Sequence, residues 1–126
     1  MSLIAIIDDD PDIVEALSAI LTAKNYEVVA AKNAAEGEKI IAEHSPDLVI
    51  LDVMMEEPDD GFFLAQNLRA KKFTKPIVML TSVSKTVGFE FDAGEMAPVD
   101  KFLEKPISPQ RLLAVIDELI AKGEKQ

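Results

Sequence analysis

Three carboxylates, a hydroxyl and an amine stand at the ends of separate apolar runs in this chain. Asp8 and Asp9 follow LIAII, Asp52 follows LVIL, Thr81 follows PIVML, and Lys105, with Pro106 after it, follows VDKFLE. Their chemistries are complementary. A carboxylate can attack phosphorus and form an acyl phosphate once the charge repulsion with the incoming group is offset. Magnesium offsets it with hard oxygen ligands, commonly one or two carboxylates plus phosphate oxygens and waters. A lysine ammonium and a threonine hydroxyl supply further partners for phosphate oxygens. Each residue alone is ordinary, since an aspartate after a strand is most often a turn or helix cap. The set becomes a site only if the runs converge.

The elements that must bring them together follow from two alternating periods. Apolar runs at Leu3–Ile7, 28–30, 48–51, 77–80 and 99–103 predict strands, the middle ones buried on both faces. Amphipathic stretches lie between them. Ile13, Val14, Leu17, Ile20 and Leu21 form one helical stripe, and Leu112, Leu113, Ile116, Leu119 and Ile120 another. A third helix over 60–72 turns Leu64, Ala65 and Leu68 inward. Asp10–Pro11 reads as a cap with proline at the first helical position, which removes Asp10 from the candidate site. Asn33 with Glu36 forms a capping box, and Ser108–Pro109 repeats the cap-plus-proline start. Asn25 and Gly123 are the expected stops.

Strand–helix alternation with short connections predicts an α/β fold, its parallel strands joined by right-handed crossovers with helices on both faces. In such open sheets ligands sit beyond the carboxyl ends of the strands, where the strand order reverses. All five candidate residues lie at those ends. The stretch 84–98, with Gly88, Gly94 and Pro98, fits a helix poorly, so a short or irregular fourth helix near 85–91 is expected there.

Composition sets the outer bounds. At 126 residues the chain fits one domain, over 1–122, with a polar tail at 123–126. A net charge of −10 disfavours general nucleic-acid binding but not a divalent cation. The absence of cysteine excludes disulfides and thiolate sites and fits a cytoplasmic location. No apolar run approaches the roughly 20 residues of a membrane span, so no membrane partner is expected. His44, the one histidine, reads as a helix-terminal charge. No glycine-rich phosphate loop follows any strand.

Together IIDDDPDIVEAL, PDLVILDVMM, KPIVMLTS and FLEKPISPQRLL are highly specific. Over nearly its whole length the chain resembles the receiver domain of bacterial two-component response regulators. That resemblance implies a single doubly wound, flavodoxin-like sheet of five parallel strands in the order 2-1-3-4-5. It implies that Asp52 accepts a phosphoryl group from a sensor histidine kinase or phosphotransfer protein, with Mg²⁺ as cofactor. Asp9 is then a direct metal ligand, Asp8 a ligand mainly through water, and the Met54 carbonyl a further ligand. Thr81 and Lys105 contact phosphate oxygens, and Ser82 leaves room for the phosphoryl group. Phe102 occupies the aromatic switch position, and the Lys105–Pro106 bond matches the family's cis peptide. A protein of this kind is a phosphoacceptor rather than an enzyme on other substrates, and it signals to a downstream protein target.

The chain also departs from the family pattern. Where the family commonly reads MMPGMDG, this chain reads MMEEPDDG, with one residue added and an acidic loop of Glu56, Glu57, Asp59 and Asp60. Met54 and Val83, at the positions that tune phosphoryl loss, are apolar, so slow autodephosphorylation is expected. Two other readings compete. One is a degenerate receiver that binds partners without phosphorylation, resting on the altered loop. The other is an aspartate-dependent phosphatase resembling the haloacid dehalogenases; Asp8-x-Asp10 fits its motif only in part, because Asp12 stands where threonine would be.

Overall fold

The computed structural model describes residues 2–52, 60–82, 100–105 and 108–124. Five strands, β1 (Leu3–Ile7), β2 (Glu27–Ala31), β3 (Leu48–Asp52), β4 (Ile77–Ser82) and β5 (Lys101–Lys105), are described with four helices. Helix α1 (Pro11–Ala23) follows β1, α2 (Ala34–His44) follows β2, α3 (Asp60–Ala70) follows β3, and α4 (Pro109–Glu124) follows β5. The strands form one parallel sheet in the order β2-β1-β3-β4-β5, as the resemblance implied. The chain therefore steps to one side of β1 and then returns to the other, and the crevice lies between β1 and β3.

Continuous apolar strands arise because both faces of the sheet are covered. On one face Ala5, Ile7, Val49, Leu51, Ile77 and Met79 pack with Ile41 of α2 and Leu64, Ala65 and Leu68 of α3. On the other, Ile4, Ile6, Leu48, Ile50, Val78 and Leu80 pack with Leu17 and Leu21 of α1 and Leu112, Val115 and Ile116 of α4. The side chains alternate by one residue along each strand, so a single run feeds both cores.

Local signals account for the helix ends. The Asp10 carboxylate accepts from the Asp12 N–H and caps α1 ahead of Pro11. Asn33 Oδ1 accepts from the Glu36 N–H, while Glu36 reaches back to the Lys32 N–H, one residue earlier than in the usual reciprocal box. Asn25 and Ser45 end their helices in the left-handed region, and Ser108 Oγ accepts from the Arg111 N–H. His44 lies in the last turn of α2. The last helix runs through Gly123 to Glu124, and the third stops at Ala70 rather than at residue 72.

Strand β5 occupies 101–105 instead of 99–103, so Lys105 is its final residue rather than the second residue beyond it. The cause is polar. Asp100 N–H donates to the Ile77 carbonyl, and its carboxylate accepts from the Ile77 N–H, so the ladder opens there. The irregular fourth helix expected near 85–91 lies outside the described residues. Among those described, no helix is long and apolar enough to cross a membrane.

Gly37 lies where α2 crosses β1. A Cβ at this position would stand 2.7 Å from Ile7 Cδ1 and 3.1 Å from Cγ1 and Cγ2. Helix and strand meet so closely that a Cβ here would force the Ile7 side chain to shift, one residue before Asp8.

Candidate metal and phosphoryl site

Register puts the acidic residues side by side. Ile7 stands opposite Leu51, so Asp8 and Asp52 are the next residues on neighbouring strands. Asp8 continues the β1–β2 ladder through its N–H to the Ala31 carbonyl at 3.1 Å. Its Oδ1 accepts from the Asp10 N–H at 2.9 Å, which ties the carboxylate to the capped start of α1. Asp10 therefore stays out of the acidic cluster as a side chain but orients it through its backbone.

One carboxylate oxygen from each of Asp8, Asp9 and Asp52 lies within 4.8 Å of the other two. Asp8 is 2% exposed and Asp52 6%, whereas Asp9 is open to solvent. Two charged carboxylates at that separation repel by about 3 kcal/mol at an effective dielectric of about 20. Three hard oxygen donors on one side, with an open approach past Asp9, fit an oxygen-preferring divalent cation that keeps part of its water shell. Asp8 and Asp9 also border a cavity of about 530 Å³ together with Val14, Ala31, Lys32 and Glu36.

The other half of the site comes from β4 and β5. Asp52 stands opposite Leu80, and the next residue, Thr81, stands opposite Glu104. Ser82 stands opposite Lys105. The backbones of Thr81, one residue before the end of β4, and Lys105, the last residue of β5, thus lie on the far side of Asp52, with β5 two strand spacings, or about 10 Å, from β3. Met54, expected to offer its carbonyl, and Val83 lie outside the described residues, as do the acidic loop at 56–59 and Pro106.

Two contributors were not foreseen in the sequence. The Asp10 N–H became visible only with the turn closed. Gly37 did leave a signal, because a lone glycine inside an amphipathic helix usually answers a packing demand.

A family model described as the response regulator receiver domain matches residues 4–117. The chain is 38% identical over 121 residues to the probable transcriptional regulator ycf27 of Cyanidium caldarium, covering 93% of this chain and 45% of that protein. It spans about half the length of the curated relatives it matches. Among solved structures it is similar to the BeF3-activated N-terminal receiver domain of Klebsiella pneumoniae RstA, at 29% identity and TM-score 0.78, covering 94% of this chain and 97% of that one. A response regulator receiver domain protein from Clostridium thermocellum shares the fold at TM-score 0.87 and 24% identity, with 98% of each chain covered.

Proposed function

The chain belongs to the response regulator receiver domain family, and from that premise we propose that it is switched by phosphorylation of Asp52 with Mg²⁺ as cofactor. The donor is a phosphohistidine on a sensor histidine kinase or phosphotransfer protein. One observation carries the reading: the oxygens of Asp8, Asp9 and Asp52 meet within 4.8 Å at the crevice where the strand order reverses.

A carboxylate oxygen of Asp52 attacks phosphorus, the new P–O bond forms, and the P–N bond breaks with its electron pair leaving on the imidazole. When bound, magnesium would supply positive charge that offsets the repulsion between the carboxylates and the incoming phosphoryl group. Asp9 would hold the ion directly and Asp8 through water, with the Met54 carbonyl offering a neutral oxygen. Lys105 and the Thr81 hydroxyl hold the remaining phosphoryl oxygens, in space left by Ser82. Movement of Thr81 toward the phosphoryl group lets Phe102 turn inward, which changes the surface offered to a downstream protein. The chain acts on itself and needs no second substrate pocket. The receiver domain of RstA, described as BeF3-activated, is a precedent for a phosphoryl mimic acting on a similar domain. The relatives' names describe transcriptional regulators; for this segment, with a charge of −10, protein contact is the proposed output.

Incubation with acetyl phosphate and Mg²⁺ should add the mass of one phosphoryl group, and Asp52→Asn should abolish the gain. No gain in the unaltered chain, with no beryllofluoride bound either, would make it a phosphorylation-independent receiver. Phosphate release from a small phosphomonoester that needs Asp8 and not Asp52 would point to the phosphatase reading.

A further inference from the structure

We infer that Arg69 and Asp100 are positioning residues for the phosphoryl contact at Lys105, acting from the opposite end of the sheet by setting the register of β5. This rests on the proposed role of Lys105. Asp100 Oδ2 accepts from Arg69 Nη2 at 2.8 Å and from the Ile77 N–H at 2.9 Å. The Asp100 N–H donates to the Ile77 carbonyl at 2.9 Å. Arg69 Nη1 donates to the carbonyls of Phe73 and Lys75, each at 2.8 Å. One guanidinium thus gathers the end of α3, the turn into β4 and the residue that opens β5.

The strand needs such a device. It lies at the edge of the sheet and pairs with β4 alone. Its sequence, KFLEK, has a buried Leu103 and an exposed Lys101, a short pattern on which to count register. A slip of one residue would turn every side chain to the other face, and each residue of slip moves Lys105 by about 3.3 Å along Ser82. Asp100 grips both polar groups of Ile77, so it fixes the count at the first rung. The Arg69 and Asp100 side chains are 28% and 41% exposed, so their charge attraction alone is weak. The effect comes from the directed bonds to backbone. The acidic cluster belongs to β1, β3 and the turn after β1, none of which makes any of these bonds.

That separation gives a two-ligand test on the intact chain. Mg²⁺ affinity is measured by calorimetry, and beryllofluoride affinity by ¹⁹F NMR at saturating Mg²⁺. Asp100→Ala should weaken beryllofluoride about ten- to a hundredfold while Mg²⁺ affinity stays within about twofold. Asp100→Asn keeps an oxygen for the Ile77 N–H and should recover part of the loss, and Arg69→Ala should fall between. If Asp100→Ala fails to fold, the other two variants carry the same comparison. Equal losses for both ligands, or no loss for either, would overturn the positioning role. Failure of the unaltered chain to bind beryllofluoride would instead remove the phosphoryl reading, and this inference with it.

Discussion

The two halves of the site are held in place by different forces. Asp8 and Asp52 end strands whose residues Ile4–Ile7 and 48–51 are all fully buried, pressed from both sides by helices. Lys105 ends an edge strand that pairs with β4 alone, adds Leu103 to the core, and is anchored at its start by hydrogen bonds of Asp100. Close packing is non-directional and shared among many contacts, so the acidic cluster inherits a fixed position. Directed bonds at an edge are few and can be exchanged. On the proposed reading this division suits a switch, since the cation ligands would stay put while the phosphate contacts rearrange on a strand of fixed register.

The sharpest way to break the comparison is to cut a methyl-rich side chain from each half. Ile50→Ala, at the centre of the sheet, should cost about 4 kcal/mol in urea unfolding, and Leu103→Ala, at the edge where neighbours can close in, about 2 kcal/mol. Equal costs would mean that the edge is as firmly packed as the centre. Next in size, Asp9→Ala should lower Mg²⁺ affinity about a hundredfold by calorimetry, because losing a ligand costs at least as much as losing an outer partner. Leu103→Ala should leave that affinity unchanged, and any large drop would join the two halves. The smallest effect concerns the seat's own packing. Gly37→Ala should lose about 1 kcal/mol, since overpacking against Ile7 outweighs the better helix propensity of alanine. Adding Ile7→Val removes the Cδ1 atom that the new methyl meets, so the double variant should lose less than the sum of the singles.

Much of this was legible in the residues themselves. LIAII is bounded by Ser2 and Asp8 and became β1 without change, because an abrupt apolar run flanked by polar residues leaves little choice of ends. Asp10–Pro11 and Asn33 made their caps, and Leu64, Ala65 and Leu68 turned inward. The acidic cluster was legible for the same reason, since a carboxylate that ends a buried strand has to lie at the sheet's rim. Strand β5 was misplaced by two residues because VDKFLEK mixes apolar and charged positions. Its start is set by the contacts of Asp100 with Ile77 and with Arg69, 31 residues earlier in the chain. Tertiary hydrogen bonds of that kind have no periodic signature.

The division of the core between two faces has a consequence for how the chain is made. The described members of the core under α2 and α3 run from Ala5 to Met79, whereas those under α1 and α4 extend to Ile116. Synthesis from residue 79 to residue 116 takes roughly 2–7 seconds at about 5–20 residues per second. During that interval the described members of the core under α2 and α3 are all made, while Leu17 and Leu21 still wait for Leu112, Val115 and Ile116. The tyrosine–carboxylate bond from Tyr26 to Asp117 closes the same late face. Helix α4 is therefore the element that takes the apolar surface beside α1 out of reach of other nascent chains.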